Sequence, residues 1–255
     1  MLYLKHKMEL ISKKMLVYLK NKRSAFTLAE VLITLMIIGI IAMITVPGLY
    51  LKFSKQIWAI QAKKAYSLLA VATAVVSRDF DNLTQFIPDS LSNQHNDEVA
   101  QAYAEALNAR LCGATITSVS MNRCTGKYDY YPKTLDGSVT NANTAAGRLF
   151  GTGYHFLFKN NMMMAIHPLA FGGTRNWPLQ LDDNKRAKYL FTIDVNGLTG
   201  PNIYGRDIFS FVLMEGGKPV IKPFYYSKKN DCNTATGTGY DCANYLLQNN
   251  WKMDY

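Results

Sequence analysis

The feature that most constrains this chain is the run FTLAEVLITLMIIGIIAMITV, residues 26–46, which carries a single charged residue, Glu30. As an α-helix, these 21 residues would extend about 31 Å, close to the ~30 Å hydrocarbon thickness of a bilayer. The sequence therefore predicts a membrane-spanning helix. Ionisable residues inside such helices usually have a function, so Glu30 requires an explanation.

Basic residues are concentrated before this run. Residues 1–25 hold seven Lys and Arg and one Glu, which favours a cytoplasmic N-terminus. The rest of the chain holds 21 basic and 17 acidic residues without a basic stripe of interleaved aromatics, so no dedicated nucleic-acid binding is expected. A secretory signal peptide explains the run less well, because the run is long for an h-region and no A-x-A-like site follows it. A plain membrane anchor explains the length but gives Glu30 no role.

The hexapeptide AFTLAE, residues 25–30, resembles the processing site of type IV prepilins and type II secretion pseudopilins. The resemblance implies that prepilin peptidase cuts between Ala25 and Phe26 and methylates the new amine of Phe26. It also implies that Glu30 meets the N-terminal amine of a neighbouring subunit during filament assembly. The chain departs from the family in having Ala25 where Gly is usual.

Two further positions fit the same resemblance. Gly39 and Pro47 lie where this family often has helix-weakening residues, and we assign them to assembly together with Glu30. The 25-residue leader is long for the family, so Met8 and Met15 remain alternative starts to Met1. The resemblance covers residues 20 to about 80.

After Pro47 the pattern stays helical. An apolar stripe recurs at spacings of four and three residues, which predicts an amphipathic helix ending near Asp79. Its members are Trp58, Ala62, Ala65, Leu69, Ala72 and Val76. We therefore expect four parts: a cleaved basic leader over 1–25, a transmembrane helix over 26–46, an amphipathic helix over 47–80 and an exported globular domain over 81–255.

The exported domain has a helical pattern near 97–110, a predicted loop over 112–148 and then period-two segments. Predicted strands are 154–159, 162–167, 188–195, 207–214 and 218–226, with Asn160-Asn161 as a hairpin signal. A long helix followed by an antiparallel sheet predicts the α+β class and, by the resemblance, the pilin-like fold.

Four cysteines lie far from the apolar run, at spacings unlike those of a zinc site. Four cysteines allow three pairings, and we favour the local one, Cys112–Cys124 and Cys232–Cys242, which pins two short loops. This pairing needs an oxidising compartment, and four unpaired buried thiols are the alternative.

The segment DVNGLTGPNIYGRDIF, residues 194–209, is dense in Asp, Asn, Gly and Pro, which predicts tight turns between two strands. Asp194, Asn196, Asn202 and Asp207 could also offer oxygen ligands to calcium, which some major pseudopilins bind in a C-terminal loop. The segment lacks the downstream bidentate Glu of an EF-hand loop, so calcium is the weaker alternative. No other cofactor is expected.

No catalytic motif occurs in the sequence, so the chain is predicted to be a substrate of an enzyme rather than an enzyme. The expected function is a structural subunit of a type II secretion or type IV pilus filament. Its expected location is the bacterial inner membrane, single-pass, with the C-terminal domain periplasmic or extracellular. Expected partners are prepilin peptidase, other pilin-like subunits, the inner-membrane assembly platform and membrane lipid. A membrane-anchored exported protein that binds glycan or DNA and uses the same processing route is the alternative.

Overall fold

The structure of the protein is a computed structural model. It describes residues 26–80, 94–115, 124, 132–139, 153–168, 187–197, 199–214, 219–224 and 231–255. Ala25 and the rest of the predicted leader lie outside the described residues, as does most of the predicted loop over 112–148. The chain divides into two compact units, Met1–Lys52 and Phe53–Tyr255.

The first described element is one helix, α1 (Leu28–Asp79), which continues through Pro47. Before Phe53, its side chains are exposed with few exceptions. From Ser54 onward, one face becomes buried at the spacing predicted from the sequence, with Trp58, Ala62 and Leu69 among the buried residues. The amphipathic pattern therefore does place this half of α1 against a core.

That core is formed with a six-stranded antiparallel sheet whose strands follow the chain order β1 to β6. The strands are β1 (Arg110–Thr115), β2 (Gly153–Leu157), β3 (Met163–Pro168), β4 (Ala187–Asp194), β5 (Ile208–Met214) and β6 (Val220–Pro223). The helix contributes mostly alanines to the contact, and the sheet contributes large side chains such as Phe191 and Phe211. The small residues on α1 leave room for these rings. Small side chains facing large ones allow the core to pack densely without voids.

The other face of the sheet is buried as well. A second cluster on that face includes Leu190, Ile208 and Val212, and it is covered in part by Tyr204 and Tyr240 from the connections. Their rings meet edge to face with centroids 5.0 Å apart. Both faces of the central strands are therefore removed from water, which explains why β4 and β5 are buried at every position.

A second helix, α2 (Gln94–Ala106), lies on the α1 side of the sheet. Three tyrosine hydroxyls hold it there. Tyr154 Oη donates to Asp97 Oδ1 at 2.5 Å, Tyr189 Oη donates to Asn96 Oδ1 at 3.0 Å, and the Tyr103 hydroxyl lies 2.9 Å from Thr73 Oγ1 on α1. Burial raises the pKa of all three tyrosines, so they stay protonated and keep their donors at neutral pH.

The α+β class, the helix-on-sheet arrangement and the hairpin at Asn160-Asn161 are confirmed. Asn161 has φ of 64°, a left-handed conformation that asparagine tolerates and that closes this hairpin. The prediction of a loop over 112–148 was wrong at its start, because residues up to Thr115 pair with β2 as β1. The helix predicted near 97–110 ends earlier, at Ala106, because β1 begins at Arg110. A C-terminal helix, α3 (Cys242–Gln248), was not predicted at all.

Candidate functional site

The start of α1 holds the residues that the sequence singled out. Glu30 Oε2 accepts hydrogen bonds from the Thr27 backbone N–H at 2.8 Å and from Thr27 Oγ1 at 2.9 Å. In return, the Glu30 backbone N–H donates to Thr27 Oγ1 at 3.2 Å. This reciprocal pair is a capping box, in which a Thr and a Glu three residues later satisfy N–H groups that the first helical turn leaves without partners.

The capping box gives Glu30 a role within its own chain that the sequence reasoning missed. The signal was present, since T-x-x-E before an apolar run is the sequence pattern of a capping box. Both Thr27 and Glu30 are exposed, so the carboxylate that caps the helix also remains accessible from outside. Phe26, the predicted new N-terminus, directly precedes this pair and is exposed too.

Gly39 and Pro47 both lie inside α1. A Cβ added to Gly39 would meet nothing within 4 Å, so no contact within the described residues requires glycine there. Pro47 has no backbone N–H and leaves one carbonyl of the preceding turn without its helical donor. The assembly role assigned to these two residues remains a prediction.

The four cysteines form the two predicted local disulfides, Cys112–Cys124 and Cys232–Cys242. The first links β1 to Cys124, whose carbonyl oxygen also accepts a hydrogen bond from Arg110 Nη2 at 3.4 Å. The second ties the start of α3 to the segment before it. Cys242 is fully buried against Gly205, where an added Cβ would come within 2.6 Å of Cys242 Sγ. The sequence prediction of loops pinned by disulfides is thus confirmed.

Of the four residues considered for calcium, Asp194 ends β4, and Asn196, Asn202 and Asp207 lie in the connection between β4 and β5. Asp207 is fully buried, and its two carboxylate oxygens accept the backbone N–H groups of Asn202 and Ile203, each at 2.7 Å. Asp194 Oδ1 accepts the backbone N–H of Asn196 at 3.1 Å. Burial raises the pKa of Asp207, and the two N–H donors act in the opposite direction. These contacts are the turn chemistry that the sequence predicted for this segment.

The same connection contains two side-chain oxygens for which no described residue is a hydrogen-bond donor. Oδ1 of Asn196 and Oδ1 of Asn202 are buried and accept no hydrogen bond from the described residues. Such oxygens are the kind of ligand that calcium takes. Within the described residues, however, no group of three or more His, Cys, Asp or Glu side chains is placed to hold a metal ion. The calcium site therefore stays a prediction.

Among the described residues, α1 is also the helix that is long and apolar enough to cross a membrane, judged by length and composition alone. Its most apolar stretch is not buried inside the protein, unlike the core helix of a soluble domain. The exposed apolar stretch supports membrane anchoring of the N-terminal unit.

Comparison with protein families gives one match, to the prokaryotic N-terminal methylation motif, over residues 20–46. Comparisons with curated proteins and with solved structures return no significant match. The matched residues include the predicted processing site, the capping box and the whole apolar run, residues 26–46. The chain thus carries a prepilin-type N-terminal methylation motif ahead of a pilin-like α+β fold.

Proposed function

We propose that this protein is a structural pilin-like subunit, a pseudopilin or pilin, of a type II secretion or type IV pilus filament. Prepilin peptidase would cut between Ala25 and Phe26 and methylate the amine of Phe26. The subunit would sit in the bacterial inner membrane with its N-terminus cytoplasmic and its globular domain outside, and the assembly platform would then add it to a filament. No catalytic role is proposed.

The observation that carries this proposal is the methylation motif at residues 20–46. The capped start of α1 adds to it, because Glu30 is held one turn from Phe26 and its side chain is exposed. A carboxylate and an amine buried together cost far less than either group buried alone. We infer that the amine of a neighbouring Phe26 replaces or joins the contacts of Thr27 with Glu30 during assembly.

A second observation concerns the half of α1 within Phe53–Tyr255. On the side away from the sheet, α1 exposes an outward stripe formed by Phe53, Ile57, Ile60, Leu68 and Val71, with the exposed Lys64 lying between Ile60 and Leu68. Ile60 is 67% exposed and Val71 is 65% exposed. Large apolar side chains exposed in a row often mark a protein–protein contact, and a filament subunit requires such a contact.

Three substitutions separate the roles of Glu30. Glu30→Gln keeps an oxygen that can accept the Thr27 N–H but removes the charge that an amine would require. Thr27→Ala removes the side-chain half of the capping box and keeps the charge of Glu30. We expect Glu30→Gln to insert into the membrane and be processed but to fail in assembly, and Thr27→Ala to assemble. Glu30→Ala should fail as Glu30→Gln does.

The measurements are filament incorporation, scored by shearing and immunoblotting, and mass spectrometry of the mature N-terminus. N-methyl-Phe26 is expected in wild type and in all three variants, and it should disappear in cells that lack the peptidase. Normal assembly of Glu30→Gln would refute the pairing. An intact leader in wild type would refute processing. A processed protein that never enters filaments would instead favour the alternative of an anchored binding protein.

A further inference from the structure

The outward stripe is accompanied by positive charge alone. From Phe53 to Arg78, α1 contains Lys55, Lys63, Lys64 and Arg78 and no acidic residue. Lys63 and Lys64 are exposed beside Ile60. Two copies that met stripe to stripe would place lysines against lysines, and like charges in contact are strongly unfavourable. A partner surface with acidic groups therefore fits the outward stripe better than a second outward stripe does.

The same chain presents a surface with that chemistry. A groove between α2 and the edge strand β1 is lined by Asp97, Glu98, Gln101, Leu111, Gly113 and Tyr154. We call it the acidic groove. Its lining surface is mostly apolar, and a Cβ added to Gly113 would meet nothing within 4 Å, so the groove is open above that residue. Such a groove can receive an apolar side chain.

The acids that line the groove, and a third acid beside it, all lie on α2. Asp97, Glu98 and Glu105 on α2 are exposed, and α2 contains no Lys or Arg. Tyr154 Oη donates to Asp97 Oδ1, which fixes one carboxylate at the groove. Gln101 Nε2 donates to Glu105 Oε1 at 3.0 Å, which holds a third carboxylate outside the groove lining, one turn beyond Gln101.

We propose that the outward stripe of one subunit docks on the acidic groove of a second copy of this chain. Ile60 and its neighbours enter the apolar part of the groove, and Lys63 and Lys64 pair with the α2 acids. This inference rests on the proposed function, since it names the contact through which such subunits pack.

The charge pattern also determines the symmetry of the contact. Because the two docking surfaces differ, each added copy still presents one unused outward stripe or one unused acidic groove. A contact of this heterologous type repeats without limit unless it closes into a ring, and repetition gives a helical filament. A stripe-to-stripe contact would instead stop at a dimer. The absence of acids on the outward face of α1 thus favours polymer over dimer.

The experiment uses the full-length chain in its own membrane. A benzophenone amino acid is placed at position 60, and cross-linked dimers are digested and mapped by mass spectrometry. The expected product joins position 60 to a peptide from α2 or β1 of another copy. Lys63→Glu with Lys64→Glu should lower the dimer yield about tenfold or more, because like charges then meet. Lys252→Glu is the control outside both surfaces, because Lys252 is 76% exposed and its 3.8 Å ion pair with Asp254 is of the weak surface type.

Charge exchange gives the decisive result. Glu98→Lys with Glu105→Lys should lower the yield as well, and the combination of both reversals should restore it. If the single reversals lowered the cross-link yield by unfolding the protein, combining them would not restore that yield. Circular dichroism of each variant tests directly whether it is folded. High salt, at about 1 M where the Debye length is about 3 Å, should weaken the wild-type contact.

Several outcomes would overturn the inference. These are a cross-link from position 60 to α1 of the other copy, a cross-link to lipid alone, or a combined variant that stays as weak as its parents. Different outcomes would contradict the proposed function. Filaments that form without the stripe-to-groove cross-link refute only this contact, whereas a cross-link without filaments supports the contact and refutes the filament role.

Discussion

Leu68 and Leu69 are neighbours on α1 with the same side chain and different surroundings. Leu69 is 1% exposed in the core between α1 and the sheet, whereas Leu68 is 40% exposed on the outward stripe. Replacement by Ala has the same small effect on helix propensity at both positions. Any difference between the two variants therefore reports on what each side chain contacts.

The magnitude for Leu69→Ala follows from burial. The truncation removes apolar atoms worth roughly 2 kcal/mol of transfer free energy, at about 0.8 kcal/mol for each buried methylene. It also leaves a cavity, because the rings of the sheet cannot all move in, so the total cost is about 3 kcal/mol. For a domain of this size, that lowers Tm by about 6–12 °C. Leu68→Ala should change the free energy of unfolding by less than about 0.5 kcal/mol.

The assay is thermal unfolding of the two purified full-length variants in detergent, followed by tryptophan fluorescence, together with filament incorporation in cells. Leu69→Ala should lose stability, and Leu68→Ala should keep stability but reduce assembly. An equal fall in Tm for the two variants would refute the placement of α1 on the sheet. Normal assembly of Leu68→Ala would count against the outward stripe as a contact between subunits.

Three further predictions concern polar contacts. Tyr103→Phe removes the buried hydrogen bond to Thr73 and should cost about 1 kcal/mol in the same unfolding assay, whereas no change would mean that this bond contributes nothing. Hydrogen bonds from the Thr134 hydroxyl and the Ser138 N–H lower the pKa of Asp136 from its ordinary value of 3.8. The stability that this carboxylate adds is therefore fully present above pH 3.8 and is lost as pH falls through its lower folded pKa. When Tm is measured against pH, the difference between wild type and Asp136→Asn should vanish below that pKa. A difference that stays constant with pH would contradict a stabilising role of the ionised Asp136 carboxylate. Finally, if the connection between β4 and β5 binds calcium, adding calcium should raise the Tm of wild type but not of Asp194→Ala, and an unchanged wild-type Tm would remove the site.

Much of the fold was accessible from the sequence because its signals are local. The apolar stripe of α1 has a strict helical spacing, and the pairing of β2 with β3 follows from a turn signal between two short runs. The cysteine pairs were predictable because each pair is close in sequence. In each case, the residues that decide the structure lie within a few positions of one another.

The missed elements depend on contacts that are distant in sequence or on polar detail. Strand β1 has the sequence RLCGAT, with a Gly and a register shift at its centre, and it exists because β2 pairs with it from about forty residues away. The helix α3 is only seven residues long, too short to give a periodic pattern, and Cys242 at its start is fixed by a disulfide. The capping role of Glu30 depends on hydrogen bonds to the N–H and hydroxyl of Thr27, which the spacing T-x-x-E permits but does not by itself require.

The two faces of α1 have an evolutionary consequence. The positions that face the sheet are constrained by this chain's own core, so a substitution there affects the folding of each single molecule. The outward positions are constrained by other molecules, so they can change without unfolding the protein, provided that the receiving surface changes with them. Among related chains, residues 60, 63 and 64 should therefore covary with residues of α2, while position 69 should vary only with the sheet. Neighbouring positions of one helix would therefore be under two different kinds of selection, one for folding and one for contact between subunits.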